Sequence, residues 1–325
     1  MHEKPIAQQL FNEQLISNES LQKVNSFYDA RPFSLHTHLQ TFLYLGVTLL
    51  ATGLGILIYK NIDSIGHIAL VSIIGLLCAS CFTYCYLKKA AFSWQKTEAP
   101  NAWFDYILLL GALLLVTFTG YLQFEFKLFG EQWGLATFIP CIILFFAAYY
   151  FDHLGLLSMA IVLLGSWAGI AVAPLDLLKR NDFNSDRFIF TGIALGIFLA
   201  VVSYLTYTKN LKHHFYFTYL NFALHISFVA ALCGLFWLDM EWLWGIIIAL
   251  LFTAGYKYAF AQKSFYVLLF SMLYSYIALS YLVIEIGDDL VKDISLAYLL
   301  LIYFILSAIM LIKYLRQFKK ELQTL

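Results

Sequence analysis

The sequence predicts an all-α fold: a polytopic transmembrane helical bundle of about ten spans, with a short amphipathic helical pair at the N-terminus. Three observations carry this expectation. Apolar residues make up 62% of the 325 residues and charged residues only 12%, about half the charged share of soluble domains, roughly 25%. Mean hydropathy is +0.77. The apolar residues also gather into segments of ~20, the length a helix needs to cross ~30 Å of hydrocarbon at ~1.5 Å per residue. A water-soluble fold could not hide that surface, so the partner these segments require is the lipid bilayer. A formal net charge of zero, with no basic cluster outside the termini, argues against a nucleic-acid partner.

Residues 1–37 are too polar to span. Ile6, Leu10 and Phe11 repeat at helical spacing, Ser17-Asn18-Glu19-Ser20 supplies cap-type residues, and Leu21, Val24, Phe27 and Tyr28 repeat before Pro32. Two short cytoplasmic helices are expected, lying on the membrane surface, packed under the bundle or engaging a protein partner. No cleavable signal pattern precedes the first apolar segment, which is expected to be an uncleaved anchor.

The transmembrane domain, 38–313, divides into spans at 39–59, 67–87, 104–122, 134–151, 154–173, 188–208, 215–237, 243–260, 265–285 and 294–313. Only Asp152-His153 separates the fourth span from the fifth, and the pair is read as a tight interfacial turn. Trp94, Trp103, Trp133, Trp237, Trp242 and Trp244 fall near span ends, as an interfacial belt does. In residues 314–325, Tyr314, Leu315, Phe318 and Leu322 alternate with Arg316, Lys319 and Lys320; this cationic amphipathic tail is expected to rest on anionic lipid.

Orientation follows from Lys and Arg. With the N-terminus inside, inward segments hold 14 of them and outward loops six, which predicts both termini in the cytoplasm. The bias weakens at the 174–187 loop, where Lys179, Arg180 and Arg187 are interleaved with Asp176, Asp182 and Asp186.

The segment Leu15-Ile16-Ser17-Asn18-Glu19-Ser20-Leu21, the helix ending near Tyr28, Leu45-Gly46, Thr52-Gly53-Leu54-Gly55 and Tyr59-Lys60-Asn61-Ile62-Asp63-Ser64-Ile65 resemble a family of uncharacterised bacterial membrane proteins known only as a domain of unknown function. The likeness covers about the first 90 residues. It implies a bacterial cytoplasmic-membrane protein and supplies no catalytic residue.

The most organised polar pattern lies in the seventh span. His214, Thr218, Asn221 and His225 recur at four, three and four residues, on one helix face. Such a stripe lines a pathway or ligand site, or glues helices together. Asp152 and His153 are a weaker pair, adjacent residues whose side chains diverge by ~100° on a helix. Acidic residues gather toward the outer face as Asp239 and Glu241, and as Glu285, Asp288, Asp289 and Asp293; such loops attract cations or are simply solvated. Cys78, Cys81 and Cys85 share a face of the second span but lack a second Cys-x-x-Cys or a nearby His, so they read as packing residues and no metal or other cofactor is expected. Gly46, Gly53 and Gly55 are expected to permit close helix packing. No catalytic signature is present.

Two functional readings stand. One is a small-molecule or lipid transporter or permease, motivated by the span number, the short loops and the seventh-span stripe. The other is a non-enzymatic sensor, scaffold or assembly factor acting through the N-terminal helices. A membrane-embedded lipid-modifying enzyme is a third.

Overall fold

Helix follows helix throughout the computed structural model, which describes residues 10–11, 13, 15–29, 36–60, 66–97, 99–172, 186–290 and 295–324. Ile6, Pro32, the 61–65 junction, residues 174–185 and Asp293 lie outside those residues, as do the expectations placed on them. The chain divides into two units, Met1–Asn61 and Ile62–Leu325.

The first unit holds α1, Asn18–Asp29, and α2, His36–Lys60. Ser17 caps α1 as its position suggests: the Ser20 amide donates to its Oγ at 3.2 Å. Lys23 pairs with Glu19 one turn away at 2.9 Å. Helix α2 is apolar over Thr41–Ile56. Among the described residues of this unit nothing packs against Gly46, Gly53 or Gly55, so the close packing expected of these glycines is not made among them.

The second unit contains α3 (His67–Lys88), α4 (Ala102–Phe126), α5 (Trp133–Phe151), α6 (Leu154–Val172), α7 (Asp186–Thr208), α8 (Tyr216–Trp237), α9 (Glu241–Ala261), α10 (Phe265–Leu290) and α11 (Ser295–Thr324). Among the described residues, nine helices are long and apolar enough to cross a membrane. They are apolar all round because lipid covers one side and protein the other. Phe146 and Leu76, each 68% exposed, mark lipid-facing sides.

Sequential neighbours pair as α3 with α4, α5 with α6, α7 with α8, and α9 with α10; α8 also touches α6, α9 and α10. One core gathers Phe104, Leu108, Leu144, Ala148, Leu156 and Phe215, and a second gathers Ile189, Phe228, Leu235 and Trp244. Trp244, expected at the interface, is 3% exposed, because Gly234 leaves room for its ring against α8. Helix α11 continues past the expected span end to Thr324. Its Phe318 packs on Tyr256 and Phe260, and Leu322 is buried beside Ala259 and Leu268. Phe318 and Leu322 of the tail therefore meet protein, whereas Tyr314 stays exposed.

The α7–α8 contact depends on Gly192 and Gly196, one turn apart. A Cβ on Gly192 would sit 2.9 Å from the Ala230 Cβ, and one on Gly196 would collide with Ser227. Lipid offers no hydrophobic drive between helices, so this approach of small residues is what holds the pair. We expect Gly192→Ala to lower stability by about 1–3 kcal/mol through overpacking. Gly120→Ala, where a Cβ meets open space, should change it by less than about 0.5 kcal/mol. Thermal unfolding in detergent checks both, and equal shifts would contradict the packing account.

Candidate functional site

Helices α5 and α6 are joined by two residues. Asp152 adopts the left-handed conformation, φ 60°, that ends α5, and both its amide and that of His153 return to the Ala148 carbonyl. Asp tolerates this conformation better than most residues. His153 then caps α6, its Nδ1 accepting the Leu156 amide at 3.1 Å. The expected tight turn is present, and it sends the two side chains to different partners.

The Asp152 carboxylate is 1% exposed and met by four donors. Oδ2 accepts the Thr97 amide at 2.6 Å and hydroxyl at 2.9 Å, and pairs with Lys212 Nζ at 3.2 Å. Oδ1 meets His214 Nε2 at 2.6 Å. Lys212 is itself 1% exposed; its Nζ also donates to the Gln95 carbonyl at 3.4 Å and lies 5.5 Å from the Phe92 ring centroid. Its backbone is left-handed, φ 51°, a strained state for lysine. The Lys212 amide bond to the Trp94 carbonyl, 3.0 Å, holds it there. Three connections, 89–101, 152–153 and 209–215, thus converge on one buried carboxylate.

Burial alone would raise the Asp152 pKa, but the Thr97 donors, His214 and Lys212 outweigh it and hold the carboxyl below its ordinary value. For His153 burial dominates and pushes the imidazole below its ordinary value, against the raising pull of Asp105 and Asp152. Asp105 Oδ1 lies 4.0 Å from His153 Nε2.

The seventh-span stripe divides into separate environments. His214 sits in a 3-10 turn, His213–Phe215, ahead of α8 and swings to Asp152. Thr218 is half-buried, and its side chain makes no hydrogen bond among the described residues. Asn221 and His225 stay together through α10: the Tyr266 hydroxyl donates to Asn221 Oδ1 at 2.8 Å and lies 2.8 Å from His225 Nε2. Tyr274 lies 2.8 Å from Nδ1. Since the single Tyr266 proton goes to Asn221, Nε2 must donate and Nδ1 must accept from Tyr274, which fixes one neutral tautomer.

The remaining candidates do not converge. Glu285 is half-buried on α10, with one carboxylate oxygen buried and unpaired among the described residues; Asp288 is exposed, and the Asp289 side chain lies outside the described residues. Cys78 and Cys85 are buried, their thiols turned to the carbonyls of Gly111 and Phe104 on α4. Among the described residues no group of three His, Cys, Asp or Glu is arranged to hold a metal.

Residues 8–157 match the predicted membrane protein family DUF2157. The resemblance read from the first 90 residues is therefore borne out and extends into the first turn of α6. No curated protein and no solved structure gives a significant match. The DUF2157 segment contains Thr97, Asp152 and His153, whereas Lys212 and His214 lie beyond it. Thr97 and Lys212 were not singled out from sequence: one reads as loop, the other as a topology charge.

Removing one member of a buried pair leaves the other uncompensated, so Asp152→Asn should cost about 3–5 kcal/mol and Lys212→Met added to it should recover part of the loss. Both lowered pKa values mean that folding contributes stability at neutral pH that acid removes. The His153 share should fall as pH drops below its ordinary 6.5, and the Asp152 share below 3.8. Unfolding midpoints in detergent from pH 7 to pH 3 check this. His153→Gln should flatten the upper window alone; an unchanged upper window would exclude the His153 account.

Proposed function

We propose that the protein is a non-enzymatic sensor or scaffold module of a bacterial cytoplasmic membrane, with both termini in the cytoplasm and residues 1–37 engaging a protein partner. The observation that supports this reading is the Asp152 network. Four donors from two other connections close on one carboxylate, making the inner loops a single latched element that can be joined or parted. His214, 20% exposed, is the member of the network that faces solvent. An opened latch would free the 89–101 connection.

A transport reading has one specific support. His225 stands near the middle of α8, on a groove of about 350 Å³ lined also by Ile189, Gly192, Val229 and Cys233. Its two ring nitrogens, both taken by tyrosines, favour a role in helix packing over a water path.

With native cysteines removed, Lys96→Cys on the exposed connection should react with a membrane-impermeant thiol reagent several-fold faster when Asp152→Asn opens the latch. Equal rates would remove the latch from the mechanism. Asn221→Cys and His225→Cys should stay as unreactive as the lipid-facing control Leu250→Cys, 63% exposed; selective labelling of the first two would establish an aqueous path and favour transport.

A further inference from the structure

Beside the latch lies a cavity of about 740 Å³, within the size range of small-molecule sites, roughly 300–1,000 Å³. Phe146, Tyr149 and Tyr150 of α5 form one wall and Val202, Leu205 and Thr206 of α7 the other; Phe92, Trp94 and Leu211 from the latched connections close its end. The walls come from the last two turns of α5 and α7, so the cavity lies within ~10 Å of the helix ends. It opens sideways to hydrocarbon past Phe146 and Leu205, which are exposed.

The Lys89 ammonium attends this apolar niche. Lys89 donates to the Tyr150 hydroxyl, and its ammonium lies 3.8 Å from the Tyr150 ring centroid and 5.0 Å from that of Tyr86. No described carboxylate pairs with it. A lysine ammonium carries three donors, and the hydroxyl takes one. Lys212, on the connection that closes the niche, is occupied by Asp152. Aromatic, hydrocarbon-facing walls suit a chain rather than a soluble ion, while an interfacial cation with free donors suits an anion.

We propose that this niche binds one anionic phospholipid from the surrounding bilayer, an acyl chain between α5 and α7 and the headgroup phosphate on Lys89. The proposal names the ligand that the sensor reading lacks, and rests on that reading only for its consequence. Phe92 and Trp94 line the niche while their neighbours Gln95 and Thr97 hold the latch, so an occupied niche and a closed latch share the same short connection.

The test is native mass spectrometry of the purified full-length chain in detergent, with phosphatidylglycerol or phosphatidylcholine added at equal concentration. We expect a one-to-one adduct retained preferentially with phosphatidylglycerol. Lys89→Gln should reduce that retention about fivefold, whereas Lys313→Gln, a cation on α11, should leave it within about twofold. Leu205→Trp, at an exposed position, should fill the niche and weaken both lipids, which keeps the test decisive if Lys89→Gln fails to fold. Equal retention of the two lipids would overturn the proposal. So would equal loss in the two lysine variants, or equally good retention of palmitate or inorganic phosphate alone. Selective binding with no effect of phosphatidylglycerol on Lys96→Cys labelling would sink the sensor reading and leave the site; a lipid-sensitive label without Lys89-dependent binding would do the reverse.

Discussion

A carboxylate and an ammonium, both taken out of water at a membrane surface, set the terms for the loops of this protein. Burying either charge alone is costly, and the cost is met only if geometry and additional hydrogen bonds are complete. Asp152 accepts from four donors, and Lys212 reaches a carboxylate, a carbonyl and a ring face. That completeness requires three connections to hold fixed positions, and it accounts for the left-handed backbone at Lys212, which no local preference would select. Beneath it, Phe215, Leu156 and Ala148 form the start of the core, so polar closure and apolar packing meet at one level.

The helices themselves are legible in the chain because hydropathy and length alone decide them. The two-residue turn was legible too, since Asp152 and His153 are the sole polar break between two apolar runs. Partners were harder to see. Asp152 meets His214 across 62 positions, and adjacency in sequence drew attention to His153 instead. The seventh-span stripe had the right period for Asn221 and His225, but His214 belongs to a 3-10 turn with a different pitch and so leaves the face. Glycines mislead in a similar way: Gly46 and Gly53, seven apart, share a helix face as Gly192 and Gly196, four apart, do, and only the facing Ala230 and Ser227 distinguish the second pair.

Two sets of polar groups within the bundle close on themselves. Asn221, His225, Tyr266 and Tyr274 satisfy one another between α8 and α10, and buried Gln123 binds both Phe129 and Gly130 across the turn at the opposite membrane face. In lipid, a polar group without a partner is expensive, so these pairings specify which helices adjoin as well as how firmly. The DUF2157 match ends within α6; the contacts of α8 with α6, α7, α9 and α10 tie the remainder to it.

The two-residue connection also bears on how the protein is made. Asp152 emerges from the ribosome with α5 and α6, but Lys212 follows 60 positions later, after α7 has been synthesised. At roughly 5–20 residues per second, the carboxylate waits several seconds for its counter-ion. A hairpin so tightly joined must enter the membrane as one body, and its acidic tip has to stay hydrated at the surface until the later pair arrives. Assembly of this face is thereby ordered in time: the first four helices of the second unit set the receptor, and the loop before α8 completes it.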